Sequence, residues 1–317
     1  MRGVPRIVTL TCTALLTTAL VAGCSESGDD RSAARPVPES EAPRELSEVV
    51  ASSNVDAKRY VYPVAGGPGD PDQNWVDLFL PKHERTPASV PLVILIHGGA
   101  WRSEVGAHSF VTFAQRLAQR GLAVYNVEYR RLGSGGGYPQ TFSDVAAAID
   151  FVPQVIRAHP SVDSGSAVVV GHSAGGQLAM WAGTRHRLDD EVGAEPRFRP
   201  TSVVSLAGPL DMRTAVRLGD DLIVAALGGT PEKVPERYES VDPIQNIDPT
   251  IPITAMAGDR DHVVPPVVSE NYVTAVRNDG GRGTFILLPG TDHGGIVDPS
   301  APMFTRVLET ISRAAHD

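Results

Sequence analysis

A serine, an aspartate and a histidine stand in that chain order in three separate glycine-bearing segments. Ser173 lies in Gly171-His172-Ser173-Ala174-Gly175-Gly176, Asp261 in Gly258-Asp259-Arg260-Asp261, and His293 in Thr291-Asp292-His293-Gly294-Gly295. A serine alcohol is a weak nucleophile at neutral pH. It needs an adjacent base, and the base needs a partner to fix its tautomer and steady its positive charge. His293 is the candidate base and Asp261 the candidate acid. Asp259 is the rival for the acid. Asp261 is preferred because it reaches further from the preceding strand, while Asp259 suits the shaping of a turn. Asp292 is too close in sequence to His293 to orient it. A fourth segment, His97-Gly98-Gly99-Ala100-Trp101, offers backbone N–H groups that adjacent glycines allow to turn inward. The amides of Gly99, Ala100 and Ala174 are the candidates for binding an oxyanion. His97 is expected to brace that loop rather than move a proton. Trp101 is expected to wall the pocket or pack beside it. His172 and His262 are expected to be structural neighbours.

These groups meet only if the chain delivers them to one edge of a sheet. Val168-Val169-Val170 runs into the serine segment and Gln177 to Trp181 follows with helical character, so strand, sharp turn and helix are expected there. Pro91 to Ile96 and Leu122 to Val127 read as strands buried on both faces. Tyr60 to Val64 and Trp75 to Leu80 read as an antiparallel pair at a sheet edge. Ser202 to Leu206, Pro252 to Ala257 and Thr284 to Leu288 complete the strands. Helices are expected at Phe110–Gln119, around Phe142–Ile156, at Pro266–Arg277 and at Met303–Ala314. Residues 209–247 break the alternation and read as a cap-like insertion, with one helix over Val216–Leu227. Strands alternating with helices imply a mostly parallel sheet covered on both faces, an α/β class.

The four motifs, in this order, resemble the α/β-hydrolase carboxylesterases. The similarity is to the hormone-sensitive-lipase-like and BD-FAE-type (feruloyl/acetylxylan esterase-like) group, and also to kynurenine formamidases. Leu227-Gly228-Gly229-Thr230-Pro231-Glu232 is similar to a segment of BD-FAE-type proteins. The resemblance spans about residues 60–315. It implies an α/β-hydrolase fold, with a mostly parallel central sheet flanked by helices and a small cap-like insertion. It also implies a serine hydrolase acting on short-acyl, aryl or sugar esters through an acyl-enzyme, with Ser173, Asp261 and His293 catalytic. No metal and no organic cofactor is implied. Ala100 stands where many lipase-like members have a third glycine. An amidase or formamidase with the same triad, a peptidase, and a non-catalytic binding module are the alternatives. The absence of a propeller-sized extra domain ranks the peptidase low.

The front of the 317-residue chain reads as an address. Arg2 and Arg6 precede an apolar run from Ile7 to Ala22, which ends in Val21-Ala22-Gly23-Cys24. This resembles a lipoprotein-type signal over residues 1–23, with Cys24 as the lipid-attachment site. Residues 24–55 are polar, acidic and proline-bearing, the composition of a disordered tether. Residues 56–317 then form the hydrolase domain. Removing residues 1–23 takes the formal charge from −9 to −11 and leaves Cys24 as the one remaining cysteine, so neither an internal disulfide nor a cysteine-based zinc site is expected. That charge argues against a nucleic-acid partner. The expected partners are a small-molecule ester and, through the lipid anchor, the extracytoplasmic face of the cell membrane.

Overall fold

In the computed structural model of the protein, residues 39–40, 46, 54–65, 67, 69–82, 89–188 and 192–317 are described. The signal segment 1–23, Cys24 and most of the tether lie outside them. Nine strands form one sheet: β1 (Glu39–Ser40), β2 (Val55–Val61), β3 (Trp75–Pro81), β4 (Val90–Ile96), β5 (Ala123–Val127), β6 (Val162–His172), β7 (Ser202–Leu206), β8 (Ile253–Gly258) and β9 (Gly283–Leu288). Their order across the sheet is β1-β2-β3-β5-β4-β6-β7-β8-β9. The pairs from β1 to β5 are antiparallel, and every pair from β5 to β9 is parallel.

Side-chain alternation gives the parallel part a core on each face. Ile94, Ile96 and Val169 point into one core, and Val93, Leu95, Val168 and Val170 into the other. Burying such a side chain is worth about 1.5–3 kcal/mol, so a register slip of one residue in β4 or β6 would gain nothing and scramble both cores. The first core is covered by α2 (Gln140–Arg157), α3 (Ala174–Thr184) and α7 (Pro266–Asn278). The second is covered by α1 (Val111–Ala118) and α8 (Phe304–Ala314). Among the described residues no helix is long and apolar enough to cross a membrane.

Two local expectations are corrected. Glu39–Ser40 pairs with Tyr60 and Arg59, and β2 begins at Val55, so sheet pairing reaches into the segment whose composition reads as tether. Backbone groups at an open sheet edge recruit a polar segment without needing an apolar side chain. The helix expected over Val216–Leu227 is two helices, α4 (Met212–Arg217) and α5 (Asp221–Leu227), followed by α6 (Pro235–Val241). The break falls at Gly219, whose φ of 102° no helix accommodates, and Asp220 caps the second helix through the amides of Leu222 and Ile223. The apolar residues of this insertion, among them Leu210, Met212, Ile223, Leu227, Tyr238 and Val241, join the first core. Gln177 and Trp181 of α3 donate to the carbonyls of Val241 and Ser240, tying the insertion to the helix behind Ser173.

Candidate active site

Because β4, β5, β6, β7, β8 and β9 run parallel, the residues that follow them emerge on one rim. His97, Glu128, Ser173, Asp261 and His293 all come from such ends, where open α/β sheets place their ligand sites.

Ser173 sits between β6 and α3 with φ 55° and ψ −124°, a strained conformation for a residue with a side chain. The neighbouring glycines are there for close approach. A Cβ on Gly171 would overlap the carbonyl of Gly175, and one on Gly175 would overlap the carbonyls of Ile96 and His97. The amide of Ser173 donates to Leu206 O at 2.8 Å, pinning the turn to β7.

His293 lies between the other two predicted residues. Its Nδ1–H donates to Asp261 Oδ2 at 2.8 Å, and its Nε2 accepts from Ser173 Oγ at 2.9 Å. Asp261 Oδ1 accepts the amides of Val263 and Val264 at 2.9 and 2.8 Å. Burial would push the Asp261 carboxyl up. The His293 ring and these two amides outweigh burial and hold it below its ordinary value. Asp259, the rival, is not among the hydrogen-bond partners of the imidazole. It accepts the amide of Gly290 at 2.7 Å and so fastens the loop that carries His293. Asp292 caps its own turn through the amide of Gly295. His262 is exposed on the acid-bearing loop.

The loop after β4 lies against the serine. A Cβ on Gly98 would stand 2.8 Å from His172 O and 3.1 Å from Ser173 Cβ. Gly99, Ala100 and Trp101 follow with φ of 114°, 54° and 55°. Among the described residues the amides of Gly99 and Ala100 donate to no backbone carbonyl. Ala174 opens α3, where first-turn amides lack an intrahelical acceptor. Trp101 is buried in the first core and does not line the cleft. The cleft has a volume of about 680 Å³. Gly98, Gly99 and Ala100 form its floor beside Ser173 and His293, Phe110, Val263 and Val297 add apolar wall, and Arg102 and Glu104 stand at its edge.

Glu128 and Arg131, which belong to none of the four motifs, hold this loop from beneath. His97 Nδ1–H donates to Gly98 O at 2.7 Å, and its Nε2 lies 3.1 Å from the Arg131 guanidinium and 3.2 Å from Glu128 Oε1. Arg131 also pairs with Glu128 directly. Glu128 further accepts the amides of Ala107 and Tyr129, and the His97 ring stacks on Tyr129 at 4.4 Å. Burial acts to raise the Glu128 carboxyl, but His97, Arg131 and the Ala107 amide prevail and bring it down to about 2. The available signal was Glu128-Tyr129-Arg130-Arg131, a charged run directly after a wholly apolar strand.

The sheet order, the strand-turn-helix around Ser173 and the loop positions define an α/β-hydrolase. The BD-FAE family matches residues 76–276, well over half of the chain, and the chain belongs to that family. Esterase LipC of Mycobacterium tuberculosis is 27% identical over 248 residues, covering 75% of this chain and 60% of that protein. The non-reducing polyketide synthase atr1 of Stereocaulon alpinum is 29% identical over 186 residues, 56% of this chain but 7% of the synthase. The chain thus spans less than two thirds of the length of these curated relatives. Among solved structures, a truncated form of a carbohydrate esterase from gut microbiota superposes with a TM-score of 0.68 at 22% identity, covering 84% of this chain and 99% of that one. A bacterial heroin esterase gives a TM-score of 0.66 at 21% identity, covering 86% and 88%. At those identities the likeness is one of fold.

Proposed function

We propose that the protein is a serine carboxylesterase in which Ser173, His293 and Asp261 form the catalytic triad. The observation that carries this is the His293 imidazole bridging Ser173 Oγ at 2.9 Å and Asp261 Oδ2 at 2.8 Å. Ser173 Oγ attacks the ester carbonyl while His293 Nε2 takes its proton. Asp261, kept ionised by its own partners, steadies the imidazolium. The carbonyl oxygen becomes an oxyanion, and the amides of Gly99, Ala100 and Ala174 receive it. Each such donor is worth roughly 100–1,000-fold in turnover. His293 returns the proton to the leaving alcohol, and water, activated by the same imidazole, releases the acid from Ser173. The substrates are short-acyl, aryl or sugar esters. Hydrolysis of p-nitrophenyl acetate, and labelling by a fluorophosphonate probe, test the assignment. Both are expected in the wild type and lost in Ser173→Ala, and labelling that persists in that variant would refute it.

We also propose that the mature chain begins at a lipidated Cys24 and works at the outer face of the cell membrane. The support is the sequence alone: Arg2, Arg6, the apolar run and Val21-Ala22-Gly23-Cys24. One or two acyl chains on that cysteine would tether the enzyme without a membrane-spanning helix. Cys24→Ser is expected to move the protein from the detergent phase to the aqueous phase. Unchanged partitioning would rule the anchor out.

A further inference from the structure

Beyond the Arg102–Glu104 edge of the catalytic cleft lies a second groove of about 290 Å³. Ala100, Arg102 and Glu104 are common to both, so the two spaces adjoin across a short ridge. The far side of the second groove is apolar: Leu132 comes from the loop after β5, and Leu222 and Ala225 from α5 of the insertion.

The walls are tied to one another. Leu132 N donates to Trp101 O at 2.8 Å and Ser103 N to Leu132 O at 2.9 Å, so the ridge and the 132–133 loop form one hydrogen-bonded unit. Tyr138 N donates to Ala226 O at 2.9 Å, which joins the same loop region to α5. Inside the groove Leu222 keeps 36% of its surface exposed, although α5 buries Ile223, Ala226 and Leu227. The ridge itself is crossed by the Arg102–Glu104 ion pair at 3.2 Å, with both side chains more than half exposed. An exposed pair of this kind contributes little to stability and yields readily to a ligand.

We propose that this second groove receives the apolar end of an ester whose carbonyl lies at Ser173. Preferred substrates then carry, on one side of the carbonyl, an alkyl or aryl chain long enough to pass Ala100 and reach Leu222 and Ala225; if that side is the acyl one, a longer acyl class replaces the short-acyl class proposed above. The proposal rests on the esterase assignment above and adds a length and polarity to its substrate. The groove is preformed by backbone hydrogen bonds, so the chain enters it without ordering a loop. Each methylene that leaves water there gains a few-fold in kcat/KM.

The test uses two ester series. In methyl acetate to methyl octanoate the acyl side grows, and in methyl to octyl acetate the alcohol side grows. Wild type is compared with Ala225→Trp and Leu222→Asp, both exposed positions, after thermal melting confirms that each variant folds. The short member, which cannot reach the groove, is expected to be turned over within about twofold of wild type. The octanoate or the octyl ester is expected to fall about tenfold, and the series that falls identifies which half of the ester occupies the groove. Equal losses at all lengths, or no loss in either series, would overturn the groove as a subsite. A wild-type protein that hydrolyses no ester in either series would instead overturn the esterase assignment.

Discussion

The Nε2–H of His172 donates to the backbone carbonyl of His293 at 2.9 Å. The residue preceding Ser173 therefore holds the backbone of His293, and the two rings lie 4.8 Å apart. Burial, helped by the nearby His293, pushes His172 down to about 4, so its ring is neutral and serves as a fixed donor. Replacing it by Ala is expected to lower kcat about tenfold or more with little change in KM, because substrate still binds while the base loses its support. His172→Gln, which restores an N–H donor, is expected to recover part of the loss. Steady-state kinetics on p-nitrophenyl acetate distinguish this from a folding defect, which would lower active-site titre and leave kcat per active site unchanged.

The two aspartates of the 258–265 loop have separable tasks. Asp261→Asn is expected to cut kcat by up to about 10,000-fold, since the imidazole would lose both its tautomer and its counter-charge. Asp259→Asn keeps an acceptor for the Gly290 amide and should retain most of the activity. Comparable losses in both variants would mean that Asp259 acts on the chemistry and not on the loop.

Removal of one charge from the support beneath the His97–Trp101 loop leaves the others uncompensated. Glu128→Gln is expected to destabilise the fold by about 3–5 kcal/mol, because Arg131 would remain buried beside His97 without its carboxylate. Urea denaturation gives the figure. A loss within experimental error of zero would show that the cluster is dispensable.

The carboxyl of Asp242, buried within the insertion against the start of α4, predicts a pH dependence of the opposite sign to that of ordinary ion-paired acids. Burial, with Asp211 nearby, pushes it up to about 7 from 3.8, although it accepts the Met212 amide at 3.0 Å. The folded state therefore holds a proton that the unfolded chain releases between about pH 4 and 7. The stability contributed is complete below the unfolded value and is lost as pH rises through the folded one. Against Asp242→Asn, the wild type is expected to lose relative stability across that window, at a limiting slope of about 1.4 kcal/mol per pH unit. A difference independent of pH would mean that Asp242 is ionised throughout.

Much of this site is legible in the sequence, because strand ends and glycine-flanked polar residues carry strong local patterns. Val168 to Val170 running into Gly171 announces both a buried strand and a turn too tight for side chains at its flanks. The choice between Asp259 and Asp261 rests on reach; in the structure Asp261 bonds His293 and Asp259 bonds Gly290. What remained hidden depends on distance through space. Glu128 and Arg131 are ordinary surface types in sequence, and only the packing of β5 beside β4 brings them under His97. The division of the insertion at Gly219 was missed because Val216 to Leu227 is apolar enough to hide one glycine. The pairing of Glu39–Ser40 with β2 is one of backbone groups, to which composition is blind.

The insertion between β7 and β8 shares its core with the sheet and is hydrogen-bonded to the helix behind the nucleophile. An insertion so embedded cannot swing aside without opening the hydrophobic interior, so it is not a latch. Turnover should accordingly begin at full speed on dissolved monomeric substrate, without a lag and without the surge at an oil–water boundary that marks gated lipases. Restraint against indiscriminate cleavage then falls to the shape of the recess instead of the timing of its opening.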